Sequence, residues 1–193
     1  SAASDLYKRQ ANVITHTRVA SVDAAAKTVT TQDGGCAAYD KILVTTGATA
    51  FVPGSFASLK GAFCMRTVDD AVKLHDAIAK RDYKDAVIVG ASMVGIKVAE
   101  LLHKRGCHVT LADMAPHIFA LAAYPEVSEM IEARLEKMGI DMVFGKAIAG
   151  AVEHTDAGGN ITGTTVQLAD GSAIETELLV VSYTHLRAHE TKA

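Results

Sequence analysis

Residues 86–113 read AVIVGASMVGIKVAELLHKRGCHVTLAD, and this stretch decides the fold. AVIVG (86–90) is a short, uninterrupted apolar run of the kind that forms a strand buried on both faces. Apolar residues then recur at helical spacing through Arg105, and Gly106 follows at the position where helices commonly end. HVTLAD (108–113) is a second apolar run. Working outward, Pro125 opens a helix through Met138 that Gly139 closes, and MVFG (142–145) supplies a third strand. Upstream, Thr67 precedes VDDAVKLHDAIAK, a helical stripe with acidic residues in its first turn. A β-α-β-α-β series implies right-handed crossovers and a parallel sheet. Beyond residue 146 short strands alternate with turns at Asp156–Asn160 and Asp170-Gly171, a β-meander.

The N-terminal part has a different texture. Alternating β-branched residues predict strands around 12–22 and 27–32, joined by a turn near Ala24–Lys27. YDKILVTTGA (39–48) predicts another buried strand closing on Gly47. Residues 48–63, with Pro53, Gly54 and Gly61, predict a loop crossing to the next unit.

Both ends resemble translated sequencing-library adapter rather than protein. Val181-Ser182-Tyr183-Thr184-His185-Leu186-Arg187-Ala188-His189-Glu190-Thr191 is one adapter read in frame, and residues 1–10 match its partner except at Leu6. The expectation is an internal gene fragment: adapter-like tail 1–10, end of a first domain 11–64, second domain 65–180, adapter-like tail 181–193. Tails of this kind are set aside before reasoning about fold, which also sets aside the His185/His189 pair at i, i+4.

Composition narrows the function classes. The chain has 193 residues, 49% hydrophobic and 21% charged, enough apolar material for a packed core. Nineteen basic residues face 22 acidic ones with no basic block, which argues against nucleic acid. Setting aside Lys8, Arg9, Arg187, Lys192, Asp5 and Glu190 leaves 15 basic and 20 acidic residues, or −5. No apolar run reaches the about 18 residues of a membrane span. Three scattered cysteines (Cys36, Cys64, Cys107) fit reduced thiols and a cytoplasmic setting, not a disulfide framework or a zinc site. His16, His75, His103, His108, His117 and His154 show no metal-ligand spacing, and Met130, Met138 and Met142 read as packing residues.

The chemistry-bearing motif is Gly90-Ala91-Ser92-Met93-Val94-Gly95, where a strand gives way to a helix. Gly90 permits the tight turn, a small residue at 92 lets backbone approach a pyrophosphate, and Gly95 lets helix lie close on strand. The amides of residues 92–94 and the helix dipole supply an anion site. The dinucleotide fingerprint has glycine at the middle place, where this chain has Ser92. Asp113 stands 23 residues after Gly90, at the end of the second strand, where a carboxylate accepts hydrogen bonds from ribose hydroxyls. Met114, Ala115, Pro116 and His117 offer no guanidinium to a 2′-phosphate, so NAD(H) is favoured over NADP(H).

Four stretches in order, RVASVDAAAKTVTTQDG, YDKILVTTGA, MRTVDDA and VIVGASMVGIKVAELLHKRGCHVTLAD, resemble the FAD- and NAD(P)-dependent pyridine nucleotide–disulfide oxidoreductases. The GAS variant and MRTVDDA look most like the ferredoxin, rubredoxin and apoptosis-inducing-factor-like reductases, with NADH oxidases and coenzyme A-disulfide reductases close. The resemblance implies an α/β Rossmann-type NAD-binding domain preceded by the β-rich end of an FAD-binding domain. It places Val19, Thr46, Gly47 and Arg66 on the FAD side, and Gly90, Ser92, Gly95 and Asp113 on NADH. Lys97 stands where relatives usually carry a glutamate near the nicotinamide. No Cys-x-x-Cys or Cys-x4-Cys is present, and no acid, base or nucleophile stands out.

The implied function is an enzyme, a flavin-dependent NAD(P)H oxidoreductase passing hydride from NADH to FAD and on to an acceptor such as a ferredoxin- or rubredoxin-type protein. The present sequence would be an inactive portion of it. The alternative is a stand-alone NAD-binding module without flavin or catalysis, although such a module has no use for the β segments before residue 60. A single-domain nicotinamide dehydrogenase is disfavoured because no Tyr-x-x-x-Lys pair follows the fold.

Overall fold

A computed structural model describes residues 12–46, 49, 50, 56, 58–120, 122–182, 184 and 185. It divides into two units, Ser1–Thr46 and Gly47–Ala193.

In the first unit, β1 (Val19–Asp23), β2 (Thr28–Thr31) and β3 (Cys36–Ala38) form an antiparallel sheet in that order. Asp23 closes the first turn, its Oδ1 accepting the N–H groups of Ala25 and Ala26 at 2.9 and 2.8 Å, a common role for a short acidic side chain in a turn. β3 was not anticipated, since three residues are too few to show a period. Residues 12–18 carry no strand, so β1 is shorter than expected.

The expected buried strand at 39–48 is corrected. Residues 42–46 have no regular structure, and Ile42, Leu43 and Val44 are 42%, 86% and 58% exposed. An apolar strand is buried only when neighbouring strands satisfy its backbone and other layers cover its faces. Among the described residues of this unit none pairs with 42–46. Gly47 and Ala48 lie outside the described residues.

The second unit runs β4 (Thr49–Ala50), β5 (Ala62–Cys64), α1 (Val68–Lys80), β6 (Asp85–Val89), α2 (Met93–Lys104), β7 (His108–Ala112), α3 (Pro125–Lys137), β8 (Asp141–Val143), β9 (Ile148–Thr155), β10 (Ile161–Leu168), β11 (Ala173–Thr176), β12 (Leu178–Val181) and β13 (Thr184–His185). Five strands form a parallel sheet ordered β5-β12-β6-β7-β8. β9, β10 and β11 form a separate antiparallel sheet, the expected meander. A β4–β13 pair completes the set. No described helix is long and apolar enough to cross a membrane.

Strand alternation explains how three layers assemble. Ala86, Ile88, Leu178 and Val180 turn to the helices and meet Leu74, Val98, Leu102 and Leu135. Val87, Val89, Leu179 and Val181 turn the other way and meet Phe56 and Val166 of the meander side. Each such side chain contributes about 1.5–3 kcal/mol by leaving water. A capping box starts α1: Thr67 Oγ1 accepts from Asp70 N–H at 3.2 Å, and Asp70 Oδ2 accepts from Thr67 N–H at 2.8 Å. These backbone donors hold the Asp70 carboxyl below its ordinary range.

Ala62–Cys64, expected as part of a loop, is an edge strand hydrogen-bonded to β12. Pro and Gly around it hid a pairing that is made only across the chain. β12 ends at Val181, and Val181 and Ser182 are 2% and 4% exposed.

Candidate functional site

β6 and β12 are neighbours in the parallel sheet, but the chain leaves β6 through α2 toward β7 on the other side. Their C-terminal ends therefore flank a topological switch point, the place where open α/β sheets form a binding crevice. Gly90 extends the ladder, its N–H donating to Ala112 O at 2.8 Å, then turns the chain at φ +109°, a conformation that favours glycine. Gly95 is buried on the first turn of α2. A Cβ there would lie 2.0 Å from Gly90 O, so no larger residue fits without moving backbone.

Ser92 is the N-cap of α2, its Oγ accepting from Gly95 N–H at 3.2 Å. The same Oγ lies 3.1 Å from Ser182 Oγ, across the mouth of the crevice. The N–H groups of Ser92, Met93 and Val94 have no partner among the described residues, as expected at a helix start. No acidic residue occupies the first turn. Free amides, the positive end of the helix dipole and an absence of carboxylate make this an anion-binding geometry. Met93 and Val94 side chains are 76% and 45% exposed, so these residues contribute backbone there.

Asp113 lies half-buried past β7, its N–H donating to Val143 O at 3.0 Å. Its Oδ2 accepts from Ala91 N–H at 2.7 Å and its Oδ1 from Ala115 N–H at 2.9 Å. The carboxylate thereby ties the glycine turn to the loop after β7. A carboxylate has about four acceptor sites, so each oxygen keeps one for a further donor. The sequence spacing gave no sign of this tie.

Lys97 does not reach toward the crevice. Its Nζ pairs with Glu100 at 2.9 Å on the exposed side of α2, and Lys104 meets the same carboxylate. The two ammonium groups, Lys104 first, pull the Glu100 carboxyl down to about 2. Arg66 is exposed between β5 and α1, its backbone N–H donating to Asp70 Oδ2 at 3.2 Å. Val19, at the start of β1, and Thr46 belong to the other unit and are exposed there.

The three cysteines are free, with Cys36 exposed on β3. Cys107 is buried, and burial, helped by Asp85 and Glu177, pushes its thiol up to about 11. Burial likewise raises Cys64. Among the described residues no three His, Cys, Asp or Glu side chains gather as a metal site.

Known proteins share this arrangement. The sequence signature described as pyridine nucleotide-disulphide oxidoreductase matches residues 2–183. The NADH-dependent phenylglyoxylate dehydrogenase subunit epsilon of Aromatoleum evansii is 33% identical over 151 residues, 78% of this chain and 34% of its own length. The nitric oxide reductase FlRd-NAD(+) reductase of Escherichia coli O7:K1 is 35% identical over 144 residues, 74% of this chain and 37% of its own. The crystal structure of a ferredoxin reductase from Rhodopseudomonas palustris superposes with a TM-score of 0.75 at 26% identity, covering 92% of this chain and 42% of that one. The chain spans about a third of the length of the curated relatives it matches. With the signature running through the glycine turn, α2 and β7, and so through Ser92, Gly95 and Asp113, the chain belongs to the pyridine nucleotide-disulphide oxidoreductase family.

Proposed function

We propose that the second unit is the NADH-binding domain of a flavin-dependent NAD(P)H oxidoreductase. The observation that carries this reading is the Gly90–Gly95 turn at the sheet's switch point, closed by Asp113. In this reading the free amides of Ser92, Met93 and Val94 hold the pyrophosphate. Gly90 and Gly95 allow the close approach, and the open acceptor sites of Asp113 take the adenine-ribose hydroxyls. A 2′-phosphate would meet the negative Asp113 with no arginine among residues 114–117, which favours NADH over NADPH. Lys97, paired with Glu100 on the exposed side of α2, leaves the resemblance-implied contact with the nicotinamide unassigned.

FAD, when bound, supplies the hydride-accepting chemistry; this chain's part is to bind and orient the nicotinamide nucleotide. The first unit fits the end of an FAD-binding domain. Its apolar segment 42–46 is exposed, as a strand would be whose sheet neighbours are not among the residues described. Val19 and Thr46 are the residues of this unit assigned to FAD. The NADH-linked names of the curated relatives support the nicotinamide choice. The ferredoxin and FlRd reductases among them support a ferredoxin- or rubredoxin-type protein as electron acceptor.

The test is to purify the 193-residue chain, record its visible spectrum for retained flavin, and titrate it with NADH and FAD. Saturable, weak NADH binding with no retained flavin is the expected result. Absence of NADH binding by the folded chain would overturn the reading. Stoichiometric yellow flavin carried through purification would contradict the division of cofactors between the units.

A further inference from the structure

We infer that Glu132 and Ser128 of α3 are positioning residues: they fix the loop after β7 and, through it, the Asp113 carboxylate that separates NADH from NADPH. The inference rests on the NADH-binding reading of the crevice and adds to it residues that stand outside the glycine turn. Residues 113–119 form neither strand nor helix, yet their backbone is tied down along its length. Ala115 N–H donates to Asp113 Oδ1 at 2.9 Å, and Ala115 O accepts from Gly145 N–H at 2.9 Å. Three residues on, Ile118 N–H donates to Glu132 Oε1 at 2.9 Å and Ile118 O accepts from Ser128 Oγ at 2.6 Å.

Ser128 and Glu132 are four residues apart and so share a face of α3. Together they satisfy both backbone groups of a residue that is 0% exposed, where an unpaired group is costly. Ser128 is itself 1% exposed inside a helix, a place where alanine serves better unless the hydroxyl has a task. Phe119 follows in the left-handed region at φ +53°, an uncommon conformation for a bulky side chain. Such a conformation persists where its surroundings over-determine it, and the two bonds on Ile118 do so here. Glu132 also lies 3.5 Å from His117 Nδ1, which draws the one ionisable side chain of residues 114–117 toward α3. The Asp113 carboxylate is thus aimed by Ala115, and Ala115 is held between Gly145 and the clasp on α3. A binding group keeps its aim only when the residues behind it are locked.

Titrations of the 193-residue chain with NADH and NADPH, wild type against E132A, E132Q and S128A, test this, with thermal midpoints recorded alongside. Without the clasp Asp113 loses both its grip on the ribose hydroxyls and its repulsion of a 2′-phosphate. E132A is therefore expected to weaken NADH about three- to tenfold, the range of one ordinary hydrogen bond, while NADPH changes by less than about twofold. S128A should narrow the preference in the same direction. E132Q keeps an oxygen that accepts from Ile118 N–H and should hold the wild-type ratio within about twofold. If E132A fails to fold, S128A against E132Q carries the comparison. A merely structural role would lower the midpoint and leave the NADH-to-NADPH ratio where it was, and that result overturns the inference. So does an E132Q chain that loses the preference as E132A does. A folded wild-type chain that binds neither nucleotide overturns the NADH reading itself, and one that binds both equally overturns the role of Asp113.

Discussion

The two units use similar β-branched, apolar sequence to opposite ends. In the second unit AVIV and LLVV become β6 and β12, buried on both faces between helices and meander. In the first, KILVTT is exposed and unpaired among the described residues, although its apolar run is as continuous. Local pattern states a preference for burial; neighbours decide whether it is met. The second unit brings β5, β7 and β8 alongside and builds a crevice at the end of its sheet, whereas the described residues of the first build the β1–β3 sheet.

Truncating one leucine in each unit gives the widest contrast. Leu179→Ala, in β12 and 1% exposed, should cost about 2–5 kcal/mol, seen as a lower urea midpoint for the second unit. Leu43→Ala, 86% exposed, should change stability by less than about 0.5 kcal/mol. An equal cost for both would mean that 42–46 is covered in solution. Next in size is Gly95→Ala, which pushes a methyl into Gly90 O and should cost about 1–3 kcal/mol as well as nucleotide binding. Normal binding by a stable G95A chain would break the close-approach account of the turn.

Asp113→Asn is smaller and more specific. One amide oxygen cannot accept from both Ala91 and Ala115, so about 1–2 kcal/mol of stability should go. NADH binding should weaken about tenfold while NADPH binding falls less. Unchanged nicotinamide preference in a direct titration would remove Asp113 from the selectivity account. The smallest effect is acid-linked. Glu100, held at about 2 against an ordinary 4.5, contributes stability that is present above pH 4.5 and is lost as pH falls toward 2. Glu100→Gln should flatten that part of the stability–pH curve, and added salt should mimic it because the pair is at the surface.

How much of this was legible follows from the same contrast. The β6–α2–β7–α3–β8 series was readable because each element spans one or more full periods and ends on a signal, Gly106 (φ +85°) and Gly139 (φ +82°) among them. β3 and β5, three residues each, were not, since nothing local distinguishes them from turn and loop. The glycine turn and Asp113 were found by spacing. The clasp of Asp113 on Ala91 and Ala115, the turning of Lys97 to Glu100, and the meeting of Ser92 with Ser182 depend on side-chain directions and on residues 90 positions apart, which spacing does not carry.

The most direct test of the central claim is an amide-resolved NMR titration of the 193-residue chain with NADH. The account predicts saturable shifts concentrated at Ala91–Val94, Asp113 and Ala115, with Val19–Ala38 unmoved. Shifts centred on the β1–β3 sheet, or none at residues 91–94 in a folded chain, would contradict it.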